Sequence, residues 1–187
     1  RAVAADMAEH AVRALKDSLT AIDSYSPSLA ERIRQDEELC DHYEDILSTY
    51  LVRLSAEQMG TAESEEAAAL LKSIGDFERI SDHAMNIAEL GQELSQRGEH
   101  FSPIANESLA ICEGAVEEVL GLTIRALTQN DLDAALRVEP LEDTIDILTE
   151  RLKAQHVARL QSGQCTLSRG FVFNDCVNNF ERVADHC

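Results

Sequence analysis

A seven-residue segment occurs twice in this chain of 187 residues. Residues 77–83 read FERISDH, and residues 180–186, which lie 103 positions later, read FERVADH. Five of these seven positions are identical, and a sixth pairs Ile with Val. An acidic pair, Glu37 and Asp41, likewise recurs as Glu142 and Asp146, 105 positions later. Because self-similarity at a fixed period is typical of a duplicated structural unit, the chain is predicted to contain two copies of one fold.

Breaks in the sequence predict that each copy consists of three helices. Clusters of Gly, Pro, Ser, Asn and Asp separate long stretches in which apolar residues recur at steps of three and four, as on one face of a helix. The predicted helices cover residues 3–25, 28–58, 62–96, 103–129, 131–162 and 166–187. Helices of this length favour a bundle. We therefore predict an all-α fold of two tandem three-helix bundles, residues 1–98 and 99–187, the second cut short at Cys187.

Three residues predict how the fifth helix begins and ends. Asp131 is suited to cap its N-terminus, and Gly163 is suited to end it. Pro140 lies inside the predicted helix, where it should kink the helix or make it restart after a short first piece.

Charge and cysteine usage exclude several classes of protein. The chain has 35 acidic and 16 basic residues, a net charge of −19, which argues against binding to nucleic acid or to an anionic membrane surface. It favours binding of cations or of a basic partner. The sequence has no apolar run long enough for membrane insertion. Its five cysteines form no C-x-x-C pair, so we expect reduced thiols. Both ends look like interrupted sequence, so we expect a longer protein.

Pairs of carboxylates four residues apart occur at four repeat-related places, and this spacing puts both members on one helix face. Adjacent helices would bring two pairs together, and such a cluster needs a cation or an arginine. Carboxylate oxygens suit hard metal ions. The predicted metal ligands are Glu37, Asp41, Glu78, Asp82, Glu142, Asp146, Glu181 and Asp185. Alternatively, the pairs are solvated surface, or Arg79 and Arg182 neutralise them.

Four further residues are candidates for the same sites. Asp45 competes with Glu37, because a second repeat register aligns it with Asp146. His83 and His186 follow motif aspartates and serve either as structural residues or as additional ligands. Asn86, one turn beyond Asp82, is a candidate for a polar contact to the site or to a neighbouring helix. The sequence has no ferritin-like Glu-x-x-His and no hydrolase or phosphate-loop motif, so we predict that it is not an enzyme.

At this point the motifs resemble a known family. Residues 76–89, DFERISDHAMNIAE, resemble the PhoU signature, and residues 179–186 resemble its second copy. Residues 50–55 and 156–160 look like the version fused to the membrane part of bacterial sodium/phosphate cotransporters. The resemblance implies paired three-helix bundles whose acidic motifs bind metal, which is iron or zinc in some members or another divalent cation. It also fixes the motif register on Glu37 and Asp41.

The resemblance implies a cytoplasmic regulatory domain of a sodium-dependent phosphate cotransporter, on the cytoplasmic side of the inner membrane. Its partner would be the transmembrane part of the transporter, with self-association into a homo-oligomer as a further expectation. Two alternatives stay open. The chain is a free-standing PhoU regulator of phosphate uptake, or it is a metal-free helical interaction module.

Overall fold

A computed structural model describes residues 2–55 and 60–187, with the side chains of Ala2 and Ser55 left aside. Within these ranges the fold is all-α, as predicted. The six helices are α1 (Ala2–Ser24), α2 (Pro27–Ser55), α3 (Thr61–Arg97), α4 (Pro103–Gln129), α5 (Leu132–Gln161) and α6 (Leu167–Asp185). The predicted continuation of the second helix to residue 58, and Met59 in the break after it, lie outside the described residues.

The predicted ends of α5 are confirmed, but the predicted restart of the helix at Pro140 is wrong. The Asp131 carboxylate accepts a hydrogen bond of 2.9 Å from the Ala134 amide, which caps the helix. Gly163 adopts a left-handed φ of 72°, and its amide donates to the Leu160 carbonyl. The helix runs unbroken through Pro140, so it does not restart there. A proline removes only one backbone donor, and both Pro140 and Leu136, whose carbonyl loses its partner, are exposed, so that carbonyl can bind water.

The helices pack as two sets of three. Helices α1, α2 and α3 contact one another, as do α4, α5 and α6, while α3 against α6 and α1 against α4 join the two sets. This arrangement agrees with the predicted duplication, and we retain 1–98 and 99–187 as the predicted domain bounds. No described helix is long and apolar enough to cross a membrane.

Small residues let α1 lie unusually close to α3. The inner face of α1 includes five buried alanines, namely Ala4, Ala8, Ala11, Ala14 and Ala21. Opposite its last turn is Gly91 of α3, where an added Cβ atom would lie 2.3 Å from the Ala21 carbonyl oxygen. The two backbones therefore touch at a point that tolerates no side chain on α3.

A buried carboxylate ties α1 to α2. Asp36 is 5% exposed and accepts hydrogen bonds from His10 Nδ1 at 2.6 Å and from Arg13 Nε at 2.8 Å. Burial raises the pKa of Asp36, but the hydrogen bonds from Arg13 and His10 outweigh burial and hold that pKa below its usual value. The carboxylate therefore stays ionised and paired at neutral pH.

The cysteines are reduced, as predicted. None of the five forms a disulfide, and Cys40, Cys112 and Cys176 are buried. Burial raises the pKa of Cys40 and of Cys112 to about 12, so these thiols stay protonated and unreactive at neutral pH.

Glu113 of α4 makes the stability of the fold depend on pH. Burial, and then the charges of Asp23 and Glu117, raise the pKa of Glu113 to about 7. The folded state therefore holds a proton that the unfolded state releases above about pH 4.5, so this group weakens the fold as pH rises towards 7. We expect Glu113→Gln to stabilise the chain at pH 8 by about 1 kcal/mol, a figure reduced for solvent screening, and to have little effect at pH 5.

Urea unfolding at both pH values measures this difference. The matched control is Glu107→Gln, at an exposed position of the same helix whose charge does not act on Glu113, and it should change stability little at either pH. Equal effects of Glu113→Gln at pH 5 and pH 8 would contradict the assignment.

Candidate metal centre

Three of the predicted ligands meet in the second bundle. Glu142 and Asp146 lie one turn apart on α5, and Asp185 is the last residue of α6. One oxygen from each carboxylate lies within 4.8 Å of the others. In residues 2–55 and 60–187 this is the one group of three His, Cys, Asp or Glu side chains with such spacing. We call Glu142, Asp146 and Asp185 the acidic triad.

The acidic triad is electrostatically unfavourable by itself. Burial, and then the charges of Asp146 and Asp143, raise the pKa of Glu142. Burial, followed by Asp185 and Glu181, raises the pKa of Asp146. Oδ1 of Asp146 is also buried without a hydrogen-bond partner. Repulsion together with an unsatisfied acceptor is the condition that a bound cation relieves.

The fourth carboxylate of the second repeat is engaged elsewhere. Glu181 forms an ion pair with Lys153 of α5, and both side chains are about 30% exposed. Lys153 is a functional neighbour that the sequence did not indicate, since the repeat places Ser48 at the equivalent position, 105 residues earlier. Asp185 also has a competing partner, Arg182 Nη1 at 2.9 Å, although that arginine is 64% exposed.

The first repeat brings its carboxylates near one another without forming such a group. Burial, and then the charges of Asp82 and Asp41, raise the pKa of Glu37. Burial, and then Asp82, raise the pKa of Glu78. Arg79 lies 3.5 Å from Glu78 and 3.7 Å from Asp82, so here the arginine partly neutralises the pair. The duplicated motif thus gives two different electrostatic environments.

Glu44, which the sequence analysis did not single out, acts on the first-repeat carboxylates where Asp45 does not. Asp45 is exposed and is absent from the charges that act on Glu37 or Glu78, whereas Glu44 raises the pKa of Glu78. Helical geometry offered the signal. A residue seven positions after Glu37 returns to within about 20° of its face, and one eight positions after it is turned by about 80°.

The two candidate histidines lie between the bundles. His83 Nδ1 donates to Asn179 Oδ1 at 2.9 Å, and His186 Nδ1 donates to Asp76 Oδ1 at 3.1 Å. The two contacts are equivalent in the two repeats, because His186 lies 103 residues after His83 and Asn179 lies 103 residues after Asp76. The rings are 5.9 Å apart and stacked. Neither histidine belongs to the acidic triad, and these contacts favour the structural alternative for both.

Asn86 also lies away from the triad. It lines a cleft of about 270 Å³ between α3 and α6, together with Glu89, Glu93, Asp175 and Asn179. Its position beside polar residues of α6 fits the predicted contact with a neighbouring helix, and Asn86 does not belong to the acidic triad.

Comparison with known proteins identifies the family. The family model for the PhoU domain matches residues 4–91 and 113–187, which covers both repeats. The chain belongs to the PhoU family. This membership confirms the family resemblance carried by the doubled signature, and the acidic triad lies within the second matched segment.

Curated PhoU relatives match most of the chain at low identity. A PhoU homolog of Borreliella burgdorferi is 27% identical over 97% of this chain and 83% of that protein. PhoU homolog 1 of Thermotoga maritima is 23% identical over 92% and 74%, and PhoU of Escherichia coli is 23% identical over 92% and 71%. All three are named as accessory proteins of a phosphate-specific transport system.

Solved PhoU structures share the fold. The crystal structure of PhoU from Pseudomonas aeruginosa matches with a TM-score of 0.92 at 22% identity, and covers 100% of this chain and 88% of that one. The phosphate transport system regulatory protein PhoU from Streptococcus pneumoniae matches with a TM-score of 0.85 at 17% identity, over 98% and 86%. Membership of the PhoU family also confirms the prediction that the chain is not an enzyme.

Proposed function

We propose that this chain is a regulator of phosphate uptake that acts by contact with a phosphate transport system on the cytoplasmic side of the membrane. The observation that carries the proposal is the PhoU match across both repeats. The names of the relatives favour a separate accessory protein over a domain fused to a sodium/phosphate cotransporter. The transmembrane part of the transporter is its partner in this proposal.

The charge of the chain supports such a partner. A net charge of −19 creates a negative field around the bundles. Cytoplasmic loops of membrane proteins carry an excess of Lys and Arg. An acidic accessory protein is therefore complementary in charge to the loops of a transporter, and we expect their association to weaken as salt concentration rises.

The proposal includes a hard cation at the acidic triad. Its donors are carboxylate oxygens, which suit Mg²⁺, Mn²⁺, Ca²⁺ or oxidised iron. Zinc, which the resemblance also implied, prefers nitrogen and sulfur ligands, and the triad supplies none. The orphaned Asp146 Oδ1 is the observation that favours a cation here. A cation at the triad would join α5 to α6 and so stabilise the second bundle.

Phosphate uptake tests the function directly. In host cells that lack the chain, we expect the initial rate of radiolabelled phosphate uptake to stop responding to external phosphate, because the accessory protein that couples the two is gone. Expression of the intact chain should restore the response. Sulfate uptake in the same cells is the control and should not change. An unchanged phosphate response without the chain would overturn the proposed function.

A further inference from the structure

A small cavity lies at the end of the second bundle where α4 and α6 begin and α5 ends. Its volume is about 20 Å³, and its lining includes Phe101, Ser102, His156, Arg159, Arg169 and Phe173. Sixteen residues of α6 separate Arg169 from Asp185, which corresponds to about 24 Å of helix. The cavity is therefore distinct from the acidic triad.

We propose that this cavity is a binding site for a small inorganic oxyanion such as phosphate or sulfate. Arg159 and Arg169 are the ligand-binding residues, and His156 lines the cavity beside them. The site is inferred from the geometry at this end of the bundle and does not depend on the proposed role in phosphate transport or on the metal.

A buried histidine forms one wall of the cavity. His156 is 4% exposed, and no partner meets hydrogen-bond geometry at its Nε2. The nearby Gly170 backbone favours the charged form of the imidazole. Burial and the charge of Arg159 outweigh that effect and lower the pKa of His156, so the imidazole is neutral at pH 7. Stacking on the Phe173 ring, 4.8 Å away, fixes its orientation. Its Nε2 faces the Gly170 backbone, where an added Cβ atom would lie 2.9 Å from that nitrogen, so the ring forms an uncharged wall of the cavity.

Two arginines line the same cavity without a carboxylate partner. The Arg159 guanidinium lies 5.1 Å from the centre of the Phe173 ring, and its buried Nη2 has no hydrogen-bond partner. Arg169 donates only to neutral oxygens, at Thr166 and at the His100 carbonyl. Neither arginine forms an ion pair within the described part of the chain, although acidic residues outnumber basic ones by 35 to 16. Positively charged hydrogen-bond donors are therefore concentrated at this cavity, although the chain as a whole is acidic.

The helix ends around the cavity add partial positive charge. Ser102 caps α4 by accepting from Ala105, and Thr166 caps α6 by accepting from Arg169. Both helices therefore direct the positive ends of their dipoles towards this region, which favours an anion. The helix ends support the site but do not define it, since two arginines without carboxylate partners line the cavity.

The size of the cavity decides how an oxyanion would sit. A volume of about 20 Å³ accommodates one oxygen-sized atom. A tetrahedral anion would therefore place one oxygen inside, next to His156, and leave the others at the mouth, where the forked donors of Arg159 and Arg169 suit planar pairs of oxygens.

Calorimetric titration of the full chain with inorganic phosphate at constant ionic strength tests the proposal. A chelator is present so that phosphate bound through a metal does not contribute. We expect saturable binding, similar binding of sulfate, and no binding of chloride at equal concentration. Arg159→Gln and Arg169→Gln should each weaken phosphate binding about tenfold or more, since each removes a charge-assisted hydrogen bond. Arg151→Gln, an exposed position on α5, is the matched control and should bind normally.

A measurement on the unmodified chain guards against variants that fail to fold. In nitrogen-detected NMR, the His156 imidazole signal should shift with the same midpoint as the calorimetric titration. Absence of saturable phosphate binding, binding of chloride alone, or unchanged affinity in both arginine variants would overturn the proposal. Each of these results would leave the phosphate-uptake experiment unaffected, so the two proposals fail separately.

Discussion

Replacing Gly91 by alanine should destabilise the fold by about 3 kcal/mol or more. The new methyl group would lie 2.3 Å from the Ala21 carbonyl oxygen and 2.7 Å from its carbonyl carbon, which are backbone atoms of α1. A side chain can rotate away from such a clash, but a helix backbone cannot. Helices α1 and α3 must therefore separate, and the buried alanine face of α1 loses its close packing.

Gly75 of the same helix provides the matched control. An added Cβ there meets no atom within 4 Å, so Gly75→Ala gains helix propensity without a clash. We expect this variant to be more stable by about 0.5–1 kcal/mol. Urea unfolding of both variants, monitored by circular dichroism, measures the difference. Equal stabilities for Gly91→Ala and the unmodified chain would show that α1 and α3 are not packed as described.

Neutralising Asp146 should change stability in opposite directions with and without a cation. In chelator, Asp146→Asn removes repulsion from Asp185 and Glu181, so we expect a gain of about 0.5 kcal/mol. In excess Mn²⁺ the unmodified chain should gain about 2.7 kcal/mol at one hundred times the dissociation constant, and the variant should gain little. Thermal unfolding of the unmodified chain and of Asp146→Asn, each in chelator and in excess Mn²⁺, measures these changes in stability.

Asp143→Asn separates ligand loss from charge loss. Asp143 is exposed on the same helix and has the same charge, but it does not belong to the acidic triad. This variant should keep the response to Mn²⁺. If both variants keep it, or if the unmodified chain shows none, the metal-free helical module becomes the better account.

The response to pH should reverse with the cation as well. The pKa values of Glu142 and Asp146 are raised in the folded chain, so without a cation the triad weakens the fold as pH rises through those values. With a bound cation the ionised forms are the stabilised ones, and rising pH strengthens the fold instead.

The helices and their order could be predicted because the signals for them are local. Capping by Asp131, the left-handed turn at Gly163 and the apolar steps of α3 depend on residues close in sequence. The duplicated signature then showed that the unit occurs twice. By contrast, α5 continues through Pro140 at an exposed turn of the helix, and the local sequence pattern does not show that this turn faces solvent.

The site was predictable in its backbone positions and less so in its side-chain pairing. Duplication placed four acidic pairs at equivalent positions, but Lys153 of α5 pairs with Glu181 and has Ser48 as its counterpart in the first repeat. The two repeats therefore differ at a contact between helices, which the motif itself does not contain. The close approach at Gly91 is likewise a contact between helices, and the sequence shows only a glycine there.

Diffraction from crystals grown with Mn²⁺, recorded at the manganese absorption edge, tests the central claim most directly. That claim is that the second PhoU repeat holds a hard cation at its acidic triad. The account predicts an anomalous peak between Glu142, Asp146 and Asp185, at about 2.0–2.6 Å from one oxygen of each, as for hard cations. No peak at the triad at saturating Mn²⁺, with Asp185 still paired to Arg182, would contradict it.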